Sequence, residues 1–236
     1  MEHILNHEKA HQKYFEEMTA IPHGSYHEQA YSAYLVAFAK EHGLKWIQDE
    51  LYNVIIYKDA SAGYEDHAPV LLQAHTDMVC EKNKDTDFDF EKDALKLYIE
   101  DGFLKARGTT LGADDGVGVA YMLALLSDPD AKHPPLECVF TVQEEVGLFG
   151  AMALKKEYFQ AKRMINLDDG GENATCTTSA GGVNVIMQKE RILVPHDGNG
   201  YQIDVFGLHG GHSGGEIDKE HGNANKLLAR VLFTLN

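Results

Sequence analysis

The apolar positions of this chain fall into short runs of strand length, separated by stretches with helical spacing. Residues 53–57 (NVIIY), 70–74 (VLLQA), 136–142 (LECVFTV) and 164–167 (MINL) are nearly continuous apolar runs, as expected of strands buried on both faces of a parallel sheet. Tyr31, Tyr34, Leu35 and Phe38 recur at helical spacing and predict a helix. Ser25 and Glu28 read as its capping box and Gly43 as its stop. Residues 114–127 and 151–159 predict two further helices, and the segments 95–99 and 103–106 flank Asp101-Gly102, a hairpin signal. Strands alternating with helices predict an α/β fold whose mixed, largely parallel sheet is flanked by helices.

The pattern changes after Gly181-Gly182. Residues 183–187 and 201–206 read as longer strands around a PHDGNG turn, and 225–235 as a helix. The expected organisation is therefore a first domain over residues 1–182 and the start of a second, smaller α/β domain over 183–236. Leu227, Leu228, Val231, Leu232 and Leu235 form one apolar helix face, and no Gly, Pro or capping residue follows it. A segment of ~50 residues has little to bury that face against, so the expectation is an N-terminal portion of a longer protein.

Composition narrows the function classes. The chain has 236 residues, 44% of them hydrophobic, enough for a sizeable core, and a net charge of −16. Such a surface repels nucleic-acid phosphates and anionic lipid, which argues against both as partners. The three cysteines, Cys80, Cys138 and Cys176, are odd in number and lack a Cys-x-x-Cys spacing, so neither a disulfide framework nor a thiolate metal site is expected. Reduced thiols, a charged N-terminus unlike a secretion signal, and no apolar run near ~20 residues predict a cytoplasmic protein.

The chemistry gathers at the ends of the apolar runs. His75 and Asp77 follow the second run, Glu144 and Glu145 the third, and Asp168 and Asp169 the fourth, while Asp114 and Asp115 begin a helix. Each pair alone has an ordinary explanation, such as a polar loop, a splayed surface pair or a helix N-terminal acid. Together they differ, because in a parallel sheet the carboxyl ends of the strands share one edge, where ligands bind. Two carboxylates ~4 Å apart repel by about 4 kcal/mol at an effective dielectric of 20. Asp77, Asp114, Glu144, Glu145 and Asp168 massed there call for cations. Two zinc ions nearly balance the five charges, and imidazole with carboxylate oxygen suits zinc.

The ordered motifs His75-x-Asp77, GADDG at 112–116, Glu144-Glu145, INLDD at 165–169 and GGHSGG at 210–215 resemble the superfamily of co-catalytic zinc peptidases that includes aminoacylases and carboxypeptidase G. The segments GTTLGADDGVGVAYMLALL, IPHGSYHE and GGHSGGEI with GNANKLL are most similar to its aminoacyl-histidine dipeptidase branch, also called Xaa-His dipeptidase or peptidase D. The resemblance covers almost the whole chain. It implies a catalytic domain followed by a lid and dimerisation domain, a homodimer, and hydrolysis of dipeptides of the Xaa-His, carnosine-like class. It further implies that His75 and Asp168 bind one zinc, that Glu145 binds another and that Asp114 bridges them. Asp77 would orient His75, and Glu144 would act as general base. His212 would reach a partner's site and hydrogen-bond the substrate carbonyl. Asp115 and Asp169 are the alternatives to their neighbours, and manganese or cobalt would suit an oxygen-rich site as well as zinc. The resemblance also implies one more zinc-binding His beyond Asn236, hence an incomplete site within these residues.

Two other classes compete. Gly211-His212-Ser213-Gly214-Gly215 formally fits the G-x-S-x-G of serine hydrolases, but Asp218 and His221 follow too closely to complete a triad. A non-catalytic protein that only keeps the fold would have no use for Asp77 and Glu144, which are both present.

Overall fold

The computed structural model describes residues 3–235 apart from 172, 180, 182, 184, 196 and 212–214. His212 therefore lies outside the described residues. Two compact units separate within the chain, Met1–Thr175 and Cys176–Asn236.

In the first unit, the apolar runs form β2 (Val54–Lys58), β3 (Val70–His75), β6 (Leu136–Thr141) and β7 (Arg163–Asn166), joined by an edge strand β1 (Lys45–Gln48). The sheet order is β1-β2-β6-β3-β7. β6, β3 and β7 are mutually parallel, and β2 runs antiparallel to both of its neighbours, so four of the five strands point one way. The hairpin forms apart from this sheet as β4 (Leu97–Glu100) and β5 (Phe103–Ala106). Its turn residues Asp101 and Gly102 both take positive φ, as a two-residue hairpin turn demands.

Alternation along the strands sorts the two faces. Val54, Ile56, Cys138, Phe140 and Ala74 point to one face, where they pack with α1 (Ala10–Thr19), α2 (Gln29–Glu41) and α3 (Ala113–Ser127) in a single core. Tyr31, Leu35, Met122 and Leu123 fill that core. Ile55, Glu137 and Val139 point to the other face. There the segment after β6 covers them: Tyr57 donates its hydroxyl to the Tyr158 carbonyl, and the Glu137 carboxylate accepts the Gln160 and Ala161 N–H groups. These anchors divide the helix expected over 151–159. It is α4 (Phe149–Ala153), two extended residues, and a 3₁₀ turn at Lys156–Tyr158.

The Ser25/Glu28 capping box does not form. α2 starts at Gln29 with no side-chain cap. Ser25 instead donates to the Asp77 carboxylate at 2.7 Å, and Glu28 accepts the Gln143 N–H at 3.0 Å. Both polar groups are spent on the strand-end loops rather than on their own helix.

Asn53 is a second tie between elements. Its buried side chain accepts the Val142 N–H and donates to the Gly150 carbonyl and to Asp49. Asn53→Ala leaves the first two of those backbone groups buried and unpaired. The expected cost is about 2–4 kcal/mol of stability, read as a fall in the urea midpoint at unchanged slope. A shift under about 0.5 kcal/mol would remove this role.

In the second unit, the helix expected at its end is α5 (Ala224–Leu235). The strands expected over 183–187 and 201–206 are not formed among the described residues, most of which are exposed there. An apolar two-stranded ribbon needs a layer to pack on, and these side chains have none within the described residues.

Candidate metal centre

Strand register brings the chemistry together. His75 pairs with Thr141 across β3 and β6, so the two strands end level. Gln73 pairs with Asn166 across β3 and β7, and the Leu167 N–H continues the ladder to the Gln73 carbonyl, which sets Asp168 beside His75. α3 begins where Gly112, at φ 71°, turns the chain under Met78 and His23. A side chain at Gly112 would meet both at 3.1–3.2 Å in a left-handed conformation that favours glycine.

The His75 ring is fully buried, and carboxylates converge on its Nε2: Asp114 Oδ1 at 2.9 Å, Asp168 Oδ2 at 3.8 Å and Glu144 Oε2 at 3.9 Å. Two sets of side chains have ligand atoms close enough to share a cation, His75 with Asp114 and Glu145, and His75 with Glu144 and Asp168. All four metal-ligand candidates thus lie in one cluster with Glu144. Nδ1 on the far side of the ring donates to the Asp77 backbone carbonyl at 2.9 Å, with the Asp77 carboxylate at 3.4 Å. That arrangement leaves Nε2 as the nitrogen facing the acids.

The Asp77 carboxylate is tied more closely to the neighbouring loop than to the ring. It accepts the Ser25 hydroxyl at 2.7 Å, the Glu144 N–H at 2.9 Å and the Glu145 N–H at 3.2 Å. One buried acid therefore fixes the turn that carries both glutamates while standing behind the histidine. The role of Ser25 has no local signature, since its partner is 52 residues away.

The two members of the Asp114-Asp115 pair, joined by a cis peptide bond, face different ways. Asp114 is exposed at the His75 ring. Asp115 is buried and accepts the His75 and Gly118 N–H groups at 3.2 Å, so it braces the strand end and the helix start from below. Asp169 has no such contact to the His75 ring.

The charges of the cluster are out of balance. Burial opposes a charge on His75, yet hydrogen bonds to Asp77 and Asp114 and the field of Asp168 overcome it and raise its pKa to about 10. Burial and then the field of Asp168 raise Asp115 to about 7. Burial, with mutual repulsion, also raises Glu144, Glu145 and Asp168. Asp77 is buried too, but the hydrogen bonds it accepts prevail and lower its pKa. A buried imidazole held charged to such high pH, beside Glu144, Glu145 and Asp168 whose pKa values are pushed up, is a cation-deficient site. The donor set of one imidazole nitrogen and carboxylate oxygens fits a zinc-type divalent ion.

A cleft of about 420 Å³ opens beside Glu145 and Val146, bounded by Tyr26, Val79, Cys80 and Phe90. A smaller one of about 70 Å³ lies on the other flank, between Glu144, Leu148 and Asp168.

The chain is 46% identical over 220 residues to the cytosol non-specific dipeptidase of Escherichia coli (strain K12), an alignment covering 92% of this chain and 45% of that protein. Among solved structures, an aminoacylhistidine dipeptidase from Vibrio alginolyticus superposes with a TM-score of 0.69 at 35% identity, covering 94% of this chain and 46% of that one. The aminopeptidase PepT from Bacillus cereus superposes at 0.59 with 26% identity, over 71% of this chain and 45% of that one. The chain spans about half the length of the relatives it matches. The profile of one family, described as peptidase family M20/M25/M40, matches residues 71–221, a span holding the ends of β3, β6 and β7 and the start of α3 that build the cluster. The chain belongs to that peptidase family.

Proposed function

We propose that this chain supplies the catalytic half-site of a two-zinc dipeptidase, acting on dipeptides and favouring those with a C-terminal histidine. The observation that carries the reading is the convergence of Asp114, Glu144 and Asp168 on one buried histidine nitrogen, with Glu145 in reach of the same point. The substrate class follows from the likeness to two dipeptidases, one named for aminoacylhistidine substrates and the other non-specific.

His75 and Asp168 would hold one ion, Glu145 the other, with Asp114 between them. When bound, zinc would polarise the peptide carbonyl and acidify water toward a pKa of about 7. Glu144, not needed as a ligand, would take the proton of the attacking water and hand it to the leaving amine. Asp77 would hold His75 in the tautomer that presents Nε2 and keep Glu144 and Glu145 in place through their N–H groups. His212 would donate to the substrate carbonyl oxygen as negative charge develops there. The working form would be a cytoplasmic homodimer in which that histidine crosses to the partner's site. Among the described residues, no helix is long and apolar enough to cross a membrane.

The test is hydrolysis of a panel of Xaa-His and Xaa-Ala dipeptides by the intact protein. Chelation should abolish turnover, zinc should restore it, and a serine-directed phosphonate should leave it unchanged. Turnover that survives chelation and falls to the phosphonate would replace this reading with a serine hydrolase using the GHSGG segment.

A further inference from the structure

A second group of metal-binding side chains lies in the N-terminal segment, in α1 and the residues before it. Glu16 projects from α1 toward residues 3–7, and its carboxylate organises them. Oε1 accepts the Ile4 N–H and Oε2 the Leu5 N–H, both at 2.9 Å. Two histidine nitrogens converge on the same carboxylate: His7 Nε2 lies 3.0 Å from Oε2, and His3 Nδ1 lies 3.9 Å from Oε1. The second distance is too long for a hydrogen bond. The two rings overlap, with centroids 3.5 Å apart and planes 30° from parallel.

Two imidazole nitrogens and one carboxylate thus face a common point, the kind of donor set a divalent ion takes. Zinc–nitrogen and zinc–oxygen bonds of ~2.0–2.2 Å place tetrahedral ligand atoms ~3.3–3.5 Å apart. The three candidate ligand atoms here all lie within 4.8 Å of one another, and the most distant belongs to His3, whose exposed side chain is free to swing inward. Glu16 is partly buried, and the Ile4 and Leu5 N–H groups hold its carboxylate in place facing both rings.

We propose that His3, His7 and Glu16 bind a zinc-type divalent ion, distinct from the strand-end cluster, which pins the N-terminal segment to α1. Water completes the coordination, since three protein ligands leave a position open. The consequence is mechanical. Leu5, between the two histidines, packs against the hydrophobic core and lines a cavity of about 300 Å³ with Phe15, Leu104 and Tyr121. An ion at this point holds that wall in place.

The probe is zinc alone, added to the intact protein. The ring C–H resonances of His3 and His7 should move or broaden as zinc rises, and the protein should retain one more equivalent of zinc at equilibrium dialysis than a His3→Gln/His7→Gln variant. Glutamine at position 7 keeps a donor for Glu16 but ligates zinc poorly, so the segment stays docked. Ring signals that stay fixed up to millimolar zinc, or equal metal content in parent and variant, would overturn the proposal. Neither result bears on the strand-end cluster, whose residues are unaltered.

Discussion

Glu144→Gln is expected to lower kcat by about 10²–10⁴-fold while the bound metal stays in place. The amide keeps the shape of the side chain and loses the ability to take a proton. The backbone of Glu144 is fixed independently of its side chain, through its N–H to Asp77 at 2.9 Å and its carbonyl to the Gly147 and Leu148 N–H groups at 3.0 Å. The turn should therefore survive the change, and with it Glu145. Burial, Asp168, Asp77 and Asp114 raise the Glu144 pKa, the direction that favours a general base. Metal content and KM measured beside kcat separate the outcomes. Loss of metal in step with activity would make Glu144 a ligand, and retained turnover would remove it from the chemistry.

Stripping the metal is expected to make the protein less stable as pH rises. His75 has an ordinary pKa of 6.5 and a folded value of about 10, so the folded state binds its proton more tightly. Its contribution is fully present below pH 6.5 and is lost as pH rises through about 10. Asp115 goes from an ordinary 3.8 to about 7, so its contribution is present below 3.8 and is lost as pH rises through about 7. Glu144, Glu145 and Asp168 shift the same way. These slopes share one sign between pH 4 and 10; Asp77 and Glu16, whose pKa values are lowered, oppose them at the acid end, and His23, lowered by burial, opposes them up to about its ordinary 6.5. A divalent ion displaces those protons and reverses the trend, so zinc should bind more tightly, with proton release, as pH rises. Unfolding midpoints at pH 5, 7 and 9, with and without chelator, test this directly. A chelated protein whose midpoint holds or climbs across that range would contradict the charge imbalance.

How legible these features were depended on where their partners lie. β2, β3 and β6 announce themselves because their burial calls for apolar runs; β7 reads as a run of the same kind although its residues are exposed here, and the hairpin shows because Asp101-Gly102 suits only one kind of turn. β1 is an exposed edge strand and leaves no such trace. α1 buries only Tyr14, Phe15, Met18 and Thr19 among charged neighbours. Ser25 and Glu28 carry a local helix-start signature, yet their side chains serve Asp77 and Gln143, 52 and 115 residues away. At the site, acids after strands are visible in sequence because strand direction gathers them. Which member of Asp114-Asp115 faces the histidine is not, because only the backbone at the start of α3 decides it. Nor does sequence show that Asp77 binds the Glu144 and Glu145 amides, a contact between loops from different strands.

Among the described residues β7 pairs with β3 alone, and Met164 and Ile165 along it are more than half exposed. No described strand pairs with its outer edge, which is a template for another strand. Asp168 follows it after one residue, Leu167. Of the acids around His75, this one therefore has the least rigid mooring, and a strand laid along that edge would act on the cluster without touching it. Metal affinity at the strand ends becomes a reporter of whether the sheet is finished on that side. Amide exchange along Arg163–Asn166, slowed in step with tighter zinc binding, would be its signature.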